Sequence, residues 1–240
     1  MNGISPLRLL AKAILLFVLF NLIFAAANPM PAIGRLTLYN WLLPGRERLP
    51  YGDDPSRSYN LNLYSLEAMF ASHGVAKTKT ENEFRVFVFG DSSVWGFLLE
   101  KDQTLTAVLN AAGLQSPDGG EVRFYNLGHP TISLTKDLMM LDYAMQYEPD
   151  LIIWLVTLEA FPNNKQASSP LVQNNPDKVS ALSEIYSLPV EVSSSEFVRE
   201  DFFGRTIIGQ RRNLADILRL QLYGFLWAAT GIDVFVPQDY

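Results

Sequence analysis

The chain has no cysteine, and its 240 residues include only two histidines, His73 and His129. The first absence excludes disulfides, thiolate metal sites and a cysteine nucleophile. The second leaves few candidates for an imidazole base. Charge is sparse as well, at 18% of residues with a net of −6, and part of that deficit lies in the N-terminus. An acidic balance argues against nucleic acid as a partner, because phosphate neutralisation needs a basic face. No Gly-x-x-x-x-Gly-Lys segment occurs, and the stretch from Gly90 to Gly96 contains no lysine. A phosphate-binding loop is therefore absent and no cofactor is expected. Asp91 and Glu159 stand without a neighbouring histidine, so no metal site is expected either. No internal repeat is present.

What remains is rich in apolar residues, 48% of the chain, enough to build a real core. The longest apolar run is "AILLFVLFNLIFAAA", residues 13–27, preceded by Arg8 and Lys12. Counted from Leu9, residues 9–27 reach about 28 Å as a helix at ~1.5 Å per residue, close to a bilayer's hydrocarbon thickness. Lys12 would snorkel to the headgroups. A secretory signal fits the same residues, with Ala25-Ala26-Ala27 as the small-residue cleavage site. A buried soluble helix is the third reading. Both leading readings place the rest of the chain outside the cytoplasm, anchored to the membrane or exported. The positive-inside rule supports this only weakly, because Arg35, Arg46 and Arg48 lie on the far side.

Three regions follow from the pattern: an anchor or signal at 1–27, a connector at 28–83, and an α/β domain at 84–240. The connector is rich in Pro, Gly, Arg and Asp. It holds "LTLYNWLL" at 36–43, where Tyr39 and Trp41 suit either a headgroup layer or plain packing, and a helix at 62–73. His73 ends that helix as a surface or capping residue. The domain opens on "FRVFVFG", a strand covered on both faces. Then come a helix at 104–113, a strand at 119–128, a helix at 132–147 and a deeply buried strand at 149–158. Leu134, Leu138, Leu141 and Met145 mark the inner face of the second helix. Asp150 marks the start of the third strand. This alternation predicts parallel strands joined by right-handed crossovers, with ligands at the strands' carboxyl ends. Residues 162–212 read as an insertion that begins with a polar loop. A helix at 212–231 is apolar nearly all round in its second half, fit for burial or for a membrane-dipping lid, and "IDVFVP" at 232–237 reads as the start of a fourth strand.

The three strand ends carry the polar residues of interest. Gly90-Asp91-Ser92-Ser93 follows the first, Asn126-Leu127-Gly128-His129 the second, and Thr157-Leu158-Glu159 the third. Parallel strands would bring these to one edge. A hydroxyl there could share a pocket with a glycine amide, the pairing that acyl transfer requires. Ser92 at a helix N-terminus would also feel a field favouring negative charge.

"VFVFGDSSVWG" resembles the first block of the SGNH, or GDSL, hydrolase superfamily. "YNLGHPTIS" resembles its second block, and "PDLIIWLVTLE" sits where its third block follows a Pro-Asp-apolar strand. The resemblance covers residues 84–161. It implies a flavodoxin-like, three-layer αβα fold on a parallel sheet. It implies Ser92 as nucleophile, the Ser92 and Gly128 amides as oxyanion donors, and an ester substrate, either lipid or acetylated carbohydrate.

Two departures qualify that implication. Glu159 stands where the family's third block has an oxyanion-hole Asn, and the loss of one such donor typically costs ~10²–10³ in rate. Asn163 or Asn164 is the alternative donor if Glu159 points away. The late Asp-x-x-His block is also missing, since Phe70 and Asn126 stand three residues before His73 and His129. His129 at the pocket rim is one substitute base. The expectation that best covers both departures is that the 240 residues are the front of a longer protein, with the base and further strands beyond Tyr240. The rival expectations are a non-catalytic ligand- or polysaccharide-binding module, or an accessory subunit of a membrane complex.

Overall fold

The computed structural model describes residues 5–38, 42, 65–71, 73–99, 101–198 and 201–230. The Tyr39 and Trp41 readings, residues 62–64 and 72 of the predicted 62–73 helix, and the 232–237 strand lie outside these residues.

Pro6 at the first turn opens helix α1, Pro6–Ala27, and Asn28 in the left-handed region closes it. Of its residues only Asn21 and Ala25 are buried. Its most apolar 18-residue window has a mean hydropathy of 2.5 and, among the described residues, it is the one helix long and apolar enough to cross a membrane. It is therefore not a core helix; an anchor and a signal sequence both fit its length and composition. Helix α2, Met30–Gly34, packs against α3, Leu66–Ala71. His73 then caps a short turn, its Nδ1 accepting from Val75 N at 3.0 Å. It is fully buried rather than at the surface, because its Nε2 also reaches the Asn126 carbonyl at 3.1 Å.

Three parallel strands follow, β1 (Glu83–Gly90), β2 (Glu121–Gly128) and β3 (Leu151–Trp154), in the order β2-β1-β3. Strand alternation sends Phe87, Phe89, Tyr125 and Leu127 to one face, against Met139 and Met140 of α6 (Leu134–Ala144). Val86, Val88 and Phe124 go to the other, against Val94 of α4 (Ser92–Trp95) and Leu109 of α5 (Leu105–Ala111). Both faces of β1 are covered, as its composition predicts.

β3 differs from its prediction. It spans four residues at the sheet edge, with Leu151 exposed and Ile152, Ile153 and Trp154 half-buried. Among the described residues only β1 pairs with it, so its composition suits a deeper place than it occupies. The inner face of α6 is met in part, since Leu138 and Leu141 pack against the core. Lys136, Met139, Met140 and Ala144 are buried while Met145 is exposed. The region read as a polar loop contains three helices: α7 (Asn163–Gln166), α8 (Pro170–Gln173) and α9 (Pro176–Tyr186). Prolines at the first helical positions of α8 and α9 start helices there rather than break them. The long helix α10 runs over Arg211–Thr230.

One charged residue lies deep in β1. Arg85 is 1% exposed, at the amino end of the sheet. Its guanidinium bonds Glu83 at 2.7 Å and the carbonyls of Tyr147 and Lys77 at 2.8 and 3.2 Å, and lies 5.2 Å from the centre of the Tyr125 ring. Asp150 accepts from the Arg85 amide at 2.6 Å and pairs with Lys79. This cluster fixes the end of the sheet opposite the candidate site.

Candidate functional site

The register places the carboxyl ends of the strands side by side, with Gly90 opposite Gly128 and Phe89 opposite Trp154. Asp91 follows β1 as an N-cap, its Oδ1 accepting from Ser93 N at 2.8 Å and Ser93 Oγ at 2.7 Å. Ser93 is thus the hydroxyl that Asp91 uses. Ser92 is half-buried, and its Oγ has no hydrogen-bond partner among the described residues. As the first residue of α4, its N–H lacks an intrahelical acceptor. α4 is a single turn, so the field expected from a long helix is not there.

Gly128 is fitted closely to α4. A Cβ at this position would meet Trp95 N at 2.3 Å. Asn126 ties the same elements together, its Nδ2 donating to the Val94 and Trp95 carbonyls at 2.9 and 3.2 Å. Its Oδ1 accepts from Gly128 N at 3.0 Å. The amide read as an oxyanion donor is therefore engaged within the protein.

His129 is 2% exposed. Its backbone N–H donates to the Gly90 carbonyl at 2.9 Å. Its Nδ1 lies 2.8 Å from the Pro130 carbonyl, which can only accept, so Nδ1 carries the proton. Nε2 is buried without a partner. Burial, with the nearby Lys136 ammonium, pushes this imidazole down to about 3 despite the Pro130 hydrogen bond.

Beneath these loops lies an ion pair in the first turn of α6. Lys136 Nζ meets Asp137 Oδ1 at 2.8 Å, and both side chains are buried. The ammonium also donates to the carbonyls of His129, Thr131 (2.9 Å) and Gly90 (3.4 Å). Asp137 Oδ2 accepts from Trp154 Nε1 at 3.1 Å. Burial pushes Lys136 down against the pull of Asp137 and Asp91. Burial likewise pushes Asp137 up against the pull of Lys136 and Trp154. Gln166 fastens the loop after β3 to the same turn, donating to the Ala160 carbonyl at 2.7 Å and accepting from Thr135 N at 3.2 Å.

The structure thus brings Asp91, Ser92, Gly128 and His129 to one edge. It does not bring Glu159 or Asn163 into that network. Both are exposed, and their side chains make no hydrogen bond among the described residues. Sequence reasoning placed Asn126 at the strand end without a role and missed Lys136, Asp137, Trp154 and Gln166. One signal was available, because a lysine in the first turn of a helix opposes the helix dipole and needs a specific reason. No group of three His, Asp or Glu side chains suited to a metal occurs among the described residues.

A cavity of about 130 Å³ lies elsewhere, lined by Asn28, Ser65, Glu67, Asn174, Lys178 and Asn213 among others. It shares no residue with the strand ends, and its Glu67–Lys178 pair at 2.6 Å is internally satisfied. The strand-end cluster, with an unpartnered hydroxyl and an unpartnered imidazole nitrogen, is the better chemical candidate. No protein-family model, curated protein or solved structure matches this chain.

Proposed function

We propose that the chain is the extracytoplasmic part of an SGNH-type serine hydrolase, with a flavodoxin-like domain held at the membrane by α1 or exported after cleavage near Ala27. The substrate is an acyl ester, a lipid or an acetylated carbohydrate. One observation carries this reading: Gly90 lies opposite Gly128, which sets the unpartnered Ser92 hydroxyl on the same rim as the glycine loop. Ser92 Oγ attacks the ester carbonyl and loses its proton to a base. The alcohol leaves with a proton, and water releases the acid from the acyl-serine. The Ser92 and Gly128 amides hold the oxyanion, with Gly128 N–H turning from Asn126 Oδ1 to the substrate. The base is an imidazole oriented by a carboxylate, and neither His73 nor His129 hydrogen-bonds Ser92 Oγ.

A second reading has its own support. The lack of any imidazole on Ser92 favours a ligand-binding module that keeps the rim without the chemistry. A fluorophosphonate probe separates the two. Labelling of the full-length protein that disappears in Ser92→Ala supports the hydrolase. Absence of Ser92-dependent labelling in folded protein leaves the binding module.

A further inference from the structure

We infer that Lys136 is the positioning residue of the Ser92 site, a buried ammonium that clamps the ends of all three strands around the nucleophile. The inference rests on the hydrolase reading and adds to it a residue outside the Gly-Asp-Ser and Asn-Leu-Gly blocks. Gly90, bonded at 3.4 Å, is the last residue of β1 and stands two before Ser92. His129, bonded through its carbonyl, directly follows Gly128. Trp154, the last residue of β3, reaches the pair through Asp137.

Thr131 shows what the clamp restrains. It is β-branched yet has φ of +74°, a conformation such residues rarely adopt. Its carbonyl is held by Lys136 Nζ at 2.9 Å. Strain of this kind persists only where surrounding contacts over-determine it. The ammonium therefore fixes the loop running from Gly128 to Thr131, and with it the hydrogen bond from His129 N–H to the Gly90 carbonyl. Lys136 is not itself a base. Its three N–H groups face three carbonyls and the Asp137 carboxylate, which leaves no lone pair toward Ser92.

The test uses the full-length protein in mild detergent. Two quantities are measured, the rate of Ser92 labelling by a fluorophosphonate and amide hydrogen exchange across the Gly128–Thr131 segment. Folded Lys136→Met is expected to label about 100-fold more slowly, the usual consequence of misplacing a reacting group by ~1 Å. The segment is expected to exchange at least tenfold faster, with α9 unchanged. If Lys136→Met does not fold, the double variant Lys136→Met/Asp137→Leu removes both charges, a replacement that buried ion pairs often tolerate. It is expected to fold and to show the same two changes.

The charged and titratable groups facing the ammonium are Asp137, Asp91 and His129. Wild-type labelling is expected to fall at alkaline pH as Lys136 loses its proton, and the double variant is expected to lose that fall. A purely structural role would alter stability without moving the pH profile of labelling. Wild-type labelling rates in either folded variant overturn the inference. If the wild type itself never labels, the hydrolase reading fails, and the clamp stands or falls on the exchange result alone.

Discussion

Replacing Gly128 by Ala tests the closest fit in the candidate site. Gly128 does not adopt a positive φ, so the cost is purely steric. The new Cβ would lie 2.3 Å from Trp95 N and 2.8 Å from both Trp95 Cα and Val94 C. These are backbone atoms and cannot turn aside as a side chain would. Relief needs α4 to move by about 1 Å, since ordinary contacts begin near 3.4 Å. Such a shift strains the bonds from Asn126 Nδ2 to the Val94 and Trp95 carbonyls, which are 2.9 and 3.2 Å long. Overpacking costs ~1–3 kcal/mol and a weakened buried hydrogen bond adds ~1 kcal/mol, so a net loss of about 2–4 kcal/mol is expected. The assay is urea unfolding in mild detergent, followed by tryptophan fluorescence, with Ser92 labelling measured in parallel. Where a Cβ has room, Gly→Ala instead stabilises by ~0.4–1 kcal/mol through the unfolded chain. A Gly128→Ala protein as stable as wild type, or more so, would refute the packing of α4 on β2 and the shared rim with it.

Two further outcomes follow from the buried charges. Arg85→Ala leaves Glu83 and three carbonyls without their buried partner and is expected to destabilise by ~3–5 kcal/mol in the same unfolding assay. His129 is held neutral in the fold, its value depressed from 6.5 to about 3, while the unfolded chain takes up the proton. Stability is therefore lost as pH falls from about 6.5 toward 3, by up to ~1.4 kcal/mol per pH unit from this group. His129→Gln is expected to lose about 2 kcal/mol less than wild type between pH 6.5 and 5. Equal pH dependence in the two proteins would mean that the imidazole is not buried neutral.

Much of the fold was legible because hydrophobic patterning reports burial. The β-branched and aromatic run of β1 predicts a strand covered on both faces, and that is where it lies. The end of α5 was equally readable, as Gly113 follows it in the left-handed region, whereas Thr104, read as part of the helix, caps it instead. Patterning failed where polar groups are buried. Arg85 was lost inside an apolar run because a buried arginine has no periodic signature; its place is set by carbonyls distant in sequence. The inner face of α6 was only partly placed for the same reason. Lys136 and Asp137 look like a solvated pair, yet they are buried because strand-end carbonyls and Trp154 receive them.

The candidate site divides along the same line. Ser92 and Gly128 were legible as a pair because parallel topology fixes which residues share an edge, and the register sets Gly90 against Gly128. The contacts that hold that edge come from side chains no spacing announces. Asn126 Oδ1 holds the Gly128 amide, so oxyanion binding requires the substrate to displace an internal acceptor. That exchange is favourable only if the developing charge is a stronger acceptor than a neutral amide oxygen, as charge-assisted hydrogen bonds are. A ground-state carbonyl has no such advantage over Asn126. On the hydrolase reading, the rim would therefore hold the transition state more strongly than the ground-state ester, the distribution that accelerates a reaction.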